Sequence, residues 1–212
     1  MTDLPAGRFI TLEGGEGAGK STQIARLKDK LERLGHAVVA TREPGGAPGA
    51  EMVRKLLVEG PAERWDGTTE ALLHFAARRD HLRSTVWPAL KRGAWVISDR
   101  FADSTIAYQG YGYGVDRRML DKLYGIAVGD FRPDLTLILD LPVETGLGRA
   151  AARRGSETRY ESLAVDFHGR VRAGFLEIAT ADPGRCIVID ATRDIEAVAA
   201  AIAAAVRVRL GA

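Results

Sequence analysis

The sequence contains no asparagine and only a single cysteine. Without asparagine it lacks the Asn-Lys-x-Asp motif that guanine-reading GTPase switches require, which leaves that class a remote alternative. One cysteine excludes an internal disulfide and is typical of a protein in a reducing cytoplasm. Cys186 stands in the apolar run 186–189, which predicts a buried strand residue rather than a reactive thiol.

Neither sign of charge is in excess, and long apolar runs are lacking. The 30 basic and 28 acidic side chains give a net charge of +2, which does not favour general nucleic-acid binding. The Ala-rich stretch 197–206 covers about half a membrane span and predicts a C-terminal packing helix. The first eight residues lack the apolar core of a signal peptide. We therefore expect a cytoplasmic protein with no nucleic-acid partner and no membrane segment.

The hydrophobic content of 46% and charged content of 27% are ordinary for a soluble globular enzyme, and 212 residues suffice for one domain over 1–212. Apolar, β-branched runs occur at 9–13, 37–41, 94–98, 135–140 and 186–190. Helical patterns occur near 19–34, 49–59, 69–92, 117–128, 143–154, 161–180 and 194–208. This alternation predicts an α/β fold, a five-stranded parallel sheet with helices on both faces. Ligands of such sheets bind at the carboxyl ends of the strands.

A complete G-x-x-x-x-G-K-[ST] motif spans 14–21, between the first predicted strand and the first predicted helix. Its glycines let backbone N–H groups turn toward an anion, and the helix N-terminus adds its positive dipole end. The motif therefore predicts ATP binding by the loop. The ATP-binding residues predicted here are Gly14, Gly15, Glu16, Gly17, Ala18, Gly19, Lys20, Ser21 and Thr22.

The metal and phosphate ligands of such a site can be named from the same pattern. Lys20 would reach the β- and γ-phosphates, and the Ser21 hydroxyl would ligate Mg²⁺. Asp99 comes directly after the third predicted strand, where an acidic residue holds Mg²⁺ or a water in its shell. Arg100 follows directly, and a guanidinium at that depth needs an anionic partner such as a bound phosphate. ATP and Mg²⁺ are the predicted cofactors.

Three other segments follow predicted strands at the ligand edge. Arg42 and Glu43 precede a turn made by Pro44 and two glycines, and loops at this edge tend to bind ligands. The segment 104–110 is rich in hydrogen-bonding side chains, among them Ser104 and Gln109. An arginine cluster predicts a mobile phosphate-covering lid over about 149–160. The cluster consists of Arg149, Arg153, Arg154 and Arg159, around Gly155 and Ser156.

Taken together, these segments resemble the thymidylate kinases of the bacterial type, members of the P-loop nucleoside monophosphate kinases. The resemblance rests on the phosphate loop and on the segments 41–46 (Thr-Arg-Glu-Pro-Gly-Gly), 75–78 (Phe-Ala-Ala-Arg), 99–101 (Asp-Arg-Phe), 107–110 (Ala-Tyr-Gln-Gly) and 137–140 (Leu-Ile-Leu-Asp). It covers about residues 8 to 192. It implies transfer of the ATP γ-phosphoryl group to dTMP with Mg²⁺, and a homodimer formed through the helix around 69–92.

The resemblance also implies roles for individual residues. Arg100 would bridge to the dTMP phosphate, Arg78 would donate to the thymine O4, and Thr105 would contact the N3 edge. Tyr108 would crowd the sugar 2′ position and disfavour ribonucleotides. Glu16 inside the loop, paired with the arginine-rich lid, is similar to the bacterial variant, in which a lid arginine meets the transferring phosphoryl group.

Arg153 is the lid arginine to which we assign that contact. The residues predicted to be catalytic are Lys20, Arg100, Arg153, Asp99 and Glu16. Arg149 and the loop 191–193 are candidates for an adenine contact.

One position departs from the family pattern. An aromatic residue normally stands four positions before the thymine-reading arginine and stacks on the base, but here that position is His74, next to Phe75. Either side chain could stack on thymine. The substrate-binding residues predicted here are Glu43, Pro44, His74, Phe75, Arg78, Arg100, Ser104, Thr105, Tyr108 and Gln109. Another nucleoside monophosphate kinase of the same fold remains the alternative activity, and Arg78 and Thr105 favour dTMP over it.

Overall fold

Short apolar strands alternate with helices in the computed structural model, which describes residues 7–152 and 159–212. The strands are β1 (Phe9–Glu13), β2 (Val38–Arg42), β3 (Trp95–Asp99), β4 (Leu135–Asp140) and β5 (Cys186–Asp190). Each pairs in parallel with its neighbours, in the order β2-β3-β1-β4-β5. The predicted five-stranded parallel sheet is confirmed, with β2 and β3 beginning one residue later than expected.

Helices cover both faces of this sheet. They are α1 (Lys20–Arg33), α2 (Pro48–Val58), α3 (Gly67–His81), α4 (Trp87–Lys91), α5 (Ala102–Thr105), α6 (Arg117–Ala127), α7 (Val143–Ala151), α8 (Val165–Ala181) and α9 (Ile195–Leu210). Two π-helical turns, Leu82–Val86 and Ile106–Gly112, and a 3₁₀ turn at Ala62–Arg64 complete the helical segments of the described chain.

The strand residues are apolar on both sides because both faces of the sheet are buried. Ile10 and Leu12 of β1 pack with α1 and α9, where the predicted C-terminal packing helix contributes Val198, Ile202 and Val206. Phe9 of β1 faces the opposite side and packs with α3, α4 and α6. Cys186 is buried beside α8, as predicted, and burial raises the pKa of its thiol to about 12.

The helix predicted over 69–92 contains a π-helical turn. Pro88 has no N–H to donate to the carbonyl of Ser84, so regular α-helical bonding cannot continue through this point. The chain instead forms the turn Leu82–Val86, and the Trp87 N–H donates to the Leu82 carbonyl five residues earlier. This helical stretch borders the site through α3.

A helical segment over 102–112 is absent from the sequence prediction. Its polar residues at 103–105 and its glycines at 110 and 112 hide any apolar 3.6-residue period. In the structure α5 runs into the π-helical turn Ile106–Gly112, which is buried against α8. The helical spacing brings Ser104 and Tyr108 onto one face.

The sequence predicts no membrane-spanning segment. No helix in the described ranges is both long enough and apolar enough to cross a bilayer.

Candidate active site

The loops that follow β1, β2 and β3 surround a cavity of about 500 Å³ at the carboxyl edge of the sheet. Its walls include most of the residues predicted for ATP and substrate. Predicted residues that line it are Glu16, Gly17, Ala18, Gly19, Lys20, Ser21, Glu43, Pro44, His74, Asp99, Arg100, Ser104, Tyr108 and Gln109. Among the described residues, Arg42, Arg54, Val58, Tyr160 and Glu161 also line it.

The phosphate loop has a backbone that only glycine adopts easily. Gly14 and Gly17 have φ angles of 130° and 66°, in the left-handed half of conformational space. A Cβ at Gly14 would overlap the carbonyl of Leu139 in β4, and one at Gly17 would overlap the carbonyl of Gly146 in α7. The loop is therefore pressed against β4 and α7, and helix α1 begins at Lys20 directly behind it.

Lys20 is held inside the loop. Its Nζ donates to the carbonyls of Gly14 at 3.1 Å and Gly15 at 2.9 Å. Burial, and next the positive charge of Arg100, lower the pKa of Lys20 to about 8. Lys20 thus remains largely charged at neutral pH, at the position where a lysine reaches phosphate in such loops.

A serine and an aspartate meet where the metal is expected. The Ser21 Oγ donates to Asp99 Oδ2 at 2.9 Å, across 78 positions of sequence. Mg²⁺ keeps several waters and takes one or two protein oxygens together with substrate phosphates. The pair fits such a site, whereas the described residues contain no group of three His, Cys, Asp or Glu that could hold an ion alone.

Arg100 adopts a φ of 71°, which is uncommon for a residue other than glycine and marks a constrained position. Its guanidinium donates to the Gly14 carbonyl at 2.9 Å and to Ser104 Oγ at 3.1 Å. It also donates to Glu16 Oε1 at 3.0 Å and to the Tyr108 hydroxyl at 3.1 Å. The anionic partner that the sequence demanded is Glu16.

Burial alone would raise the pKa of Glu16, but Arg100, Lys20 and the Tyr108 hydroxyl lower it to about 2. The Tyr108 hydroxyl donates to Glu16 Oε1 at 2.7 Å. Glu16 is therefore ionised and stands between the two cations of the site. A phosphate that entered the cavity would compete with it for Arg100.

A further buried cation, Arg78, is bonded to Glu43 on the cavity wall. Arg78 Nε donates to Glu43 Oε2 at 2.7 Å, and its Nη2 donates to the Phe101 carbonyl and to Thr105 Oγ1, both at 3.0 Å. Its Nη1 has no hydrogen-bond partner in the described chain. A buried guanidinium donor left unpaired is costly, and an acceptor atom on a ligand would satisfy it.

Glu43 holds this arginine in place. Its Oε1 is in hydrogen-bond contact with His81 Nδ1 at 2.9 Å, so both of its oxygens have protein partners. Because Glu43 is almost fully buried and doubly bonded, the geometry favours an action through Arg78 over a direct contact with substrate.

The two alternatives at positions 74 and 75 occupy different places. His74 lines the cavity, whereas Phe75 is buried in the core with its ring 4.9 Å from the Arg78 guanidinium carbon. Burial, followed by Arg78 and Arg100, lowers the pKa of His74 to about 3. His74 is thus a neutral aromatic ring at neutral pH.

The remaining predicted residues lie in different places. Gly14 and Gly15 line a small cavity behind the loop, Thr22 is exposed on α1, and Thr105 is buried beside Arg78. Arg149 Nη1 donates to the Ala191 carbonyl at 3.4 Å, which brings the two adenine-contact candidates together. Arg153 and Arg154 lie outside the described residues.

Arg159 differs from the expectation for a lid arginine. Its Nη2 forms an ion pair with Glu70 Oε1 at 2.5 Å, and its other nitrogens donate to the carbonyls of Leu57 and Pro61. The side chain is 1% exposed. Buried and bonded to α2 and α3, it anchors the chain rather than covering phosphates.

Sequence reasoning missed Glu13, Glu70 and Tyr160. Glu13 ends β1 and accepts hydrogen bonds from the Phe101 N–H at 2.7 Å and Ser104 Oγ at 2.5 Å, which ties the loops after β1 and β3 together. Burial, then Asp103, raises the pKa of Glu13 to about 8. An acidic residue at the end of a buried strand is the signal that could have identified it.

A parallel sheet in this order, a phosphate loop between β1 and α1, and a paired serine and aspartate define the P-loop NTPase fold, here with a nucleotide-sized cavity. Comparison with known proteins narrows this class. The family model described as thymidylate kinase matches residues 12–202. The chain therefore belongs to the thymidylate kinase family.

Individual relatives agree with this assignment. The chain is 57% identical over 208 residues to the thymidylate kinase of Caulobacter vibrioides, covering 98% of this chain and 100% of that one. It is 55% identical to the thymidylate kinase of Rhodopseudomonas palustris, covering 96% and 90%. The crystal structure of thymidylate kinase from Ehrlichia chaffeensis is similar with a TM-score of 0.78 at 35% identity, covering 95% of this chain and 100% of that one.

Proposed function

We propose that this chain transfers the γ-phosphoryl group of ATP to dTMP, giving ADP and dTDP for dTTP biosynthesis. The observation that carries the proposal is Nη1 of buried Arg78, which has no hydrogen-bond partner among the described residues, while the same guanidinium bonds Glu43 on the wall of the cavity that the phosphate loop also lines. An acceptor atom on a nucleobase would satisfy that donor. The thymine O4 is such an atom.

The chemistry needs no strong base. The acceptor is a phosphate oxygen that is ionised at neutral pH, so catalysis rests on alignment and on neutralising charge. Ser21 and Asp99 would hold Mg²⁺, which when bound neutralises charge on the β- and γ-phosphates. Lys20 would contact the phosphates of ATP and Arg100 that of dTMP. Arg153 would meet the transferring group from the lid.

The nucleoside end would select for deoxythymidine. Arg78 would donate to the thymine O4, Thr105 would contact the N3 edge, and the neutral ring of His74 would stack on the base. Tyr108 would crowd the sugar 2′ position, which disfavours a ribonucleotide. Ser104 and Gln109, both on the cavity wall, would complete the polar contacts.

We also propose a cytoplasmic homodimer.

The test is ADP release with Mg·ATP against dTMP, dUMP, dGMP, dCMP, UMP and AMP in parallel, on the wild type and on Thr105→Val. We expect a clear preference for dTMP. The valine variant removes the hydroxyl at nearly constant volume and should raise KM for dTMP about ten-fold. Thr180→Val is the matched control, because the Thr180 hydroxyl donates to the Leu176 carbonyl within α8. Strong activity on another monophosphate with little on dTMP would refute the base assignment.

A further inference from the structure

Tyr160 links the cavity wall to a buried carboxylate. Its hydroxyl lies 2.9 Å from Glu70 Oε2 and 3.1 Å from His74 Nε2. Glu70 is fully buried on α3, one helical turn before His74. Tyr160 reaches both from a position about ninety residues away, next to Arg159.

In the series of hydrogen bonds from Glu70 through Tyr160 to His74, each donor and acceptor can be identified. Glu70 forms an ion pair with Arg159 and is an acceptor only. It accepts from Gln109 Nε2 at 2.8 Å and from the Tyr160 hydroxyl. Burial, and next the Glu70 carboxylate, raise the pKa of Tyr160 well above its usual value, so the hydroxyl keeps its proton.

That single proton goes to Glu70, so the Tyr160 oxygen can only accept from His74. His74 must then carry its proton on Nε2, and a neutral imidazole leaves Nδ1 without one. The Glu70 carboxylate thereby determines the tautomer of the His74 ring, acting through the Tyr160 hydroxyl that bonds both.

The ring of Tyr160 is itself held in place. It packs edge-on against Tyr108, with ring centroids 5.6 Å apart, and the centroids of Tyr160 and His74 are 6.4 Å apart. Removing the hydroxyl alone would keep these ring contacts and break only the hydrogen bonds. A phenylalanine at position 74 would need no such bond, since it has no polar atom to orient.

We propose that Tyr160 is a positioning residue that fixes the His74 imidazole, in its Nε2–H tautomer, as the stacking surface for the nucleobase of the acceptor nucleotide. The stacking part rests on the proposed function, while the tautomer part does not. Glu70 and Arg159 belong to the same arrangement, because they orient the Tyr160 hydroxyl and bind the segment that bears it.

Kinetics on Tyr160→Phe test the stacking part. We expect KM for dTMP to rise about three- to ten-fold, with a much smaller change in kcat, since a hydrogen bond that orients the binding surface is lost. In a His74→Phe background the same substitution should change KM less than two-fold, because that ring has nothing to orient. Tyr111→Phe is the matched control, since the Tyr111 hydroxyl donates to Glu177 at 2.8 Å away from the cavity.

Nitrogen-15 NMR of the histidine rings tests the tautomer part without substrate. The chain has four histidines, and the spectrum of His74→Phe identifies the signals of His74. We expect the neutral Nε2–H form in the wild type and in Tyr111→Phe, and altered ring signals in Tyr160→Phe. Circular dichroism checks that each variant is folded.

The outcomes separate the two levels of the proposal. An Nδ1–H form in the wild type, or signals unchanged by Tyr160→Phe, would overturn the positioning role whatever the substrate. A KM effect that persists equally in the His74→Phe background would overturn it as well. The expected NMR result with no activity on dTMP would instead refute the proposed function and leave the tautomer assignment standing.

Discussion

At the scale of single residues, the charged groups of the site are bonded to one another or to backbone carbonyls. Glu16 neutralises Arg100 at 3.0 Å, and Lys20 is retained by loop carbonyls rather than by a carboxylate. This leaves Lys20 as a partly desolvated cation, with its pKa lowered by burial. A triphosphate would give Lys20 an anionic partner in place of the carbonyl oxygens that it now bonds.

The lowered pKa of Lys20 predicts a pH dependence for the proposed activity. Only the ammonium form attracts phosphate, and raising the pH through about 8 removes its proton. We expect kcat/KM for ATP to fall about ten-fold per pH unit above this point. At saturating ATP, kcat should begin to fall only at a higher pH, because bound phosphates stabilise the charged form of Lys20. Initial rates from pH 6 to pH 10 measure this, with circular dichroism to exclude unfolding, and a flat profile would contradict it.

At the scale of elements, the site is built where helices meet strand ends. The phosphate loop is pressed onto α7, because Gly17 and Gly146 approach without side chains. The segment from α5 to the π-helical turn presents Ser104 and Tyr108 to Arg100. A loop in this position would leave those two hydroxyls free to move, whereas the buried helical segment holds them.

The contact between the loop and α7 predicts the effect of a methyl group. Gly17→Ala would place a Cβ against the Gly146 carbonyl at a positive φ, and should lower the free energy of unfolding by about 1–3 kcal/mol and weaken nucleotide binding. Gly125→Ala is the control, since no atom of the described residues lies within 4 Å of a Cβ added there in α6, and it should stabilise the fold by about 0.5–1 kcal/mol. Urea unfolding of both variants decides, and a Gly17→Ala variant as stable as the wild type would contradict the packing argument.

At the scale of the whole molecule, three neighbouring helices each carry an exposed apolar side chain. Helix α3 packs against both α2 and α6. Met52 on α2, Leu72 on α3 and Ile126 on α6 are exposed by 73%, 50% and 80%. Grouped exposed apolar residues favour an interface. We propose this surface as the contact between two copies of the chain.

The proposed dimer predicts a mass change on substitution. A wild-type dimer has twice the chain mass of 22.9 kDa, and Ile126→Glu should shift the population to single chains, because a buried unpaired carboxylate is costly. Val208→Glu, at a residue 77% exposed on α9, should leave the mass unchanged. Light scattering during size-exclusion chromatography measures both. A single-chain mass for the wild type would exclude the dimer at the concentration used.

Local patterns in the sequence were enough to predict the sheet and the loop residues that gather at its carboxyl edge. The phosphate loop, Asp99 and Arg100 each stand at the end of an apolar run, and the carboxyl ends of parallel strands meet at one edge. The pairing of Ser21 with Asp99 follows from that rule. The helical segment at 102–112 escaped prediction, because buried polar and glycine residues carry no apolar period.

The sequence by itself determined that this chain has a P-loop α/β fold, and it predicted the residues of a nucleotide site. Only the tertiary structure decided that His74 rather than Phe75 faces the cavity, and that Arg159 is an anchor rather than a lid arginine. Side chains at neighbouring positions on a helix point in different directions, and the packing around α3 decides which of the two faces the cavity. The bonds of Glu70 to Arg159 and Tyr160 join positions about ninety residues apart, and no local pattern records such a pairing.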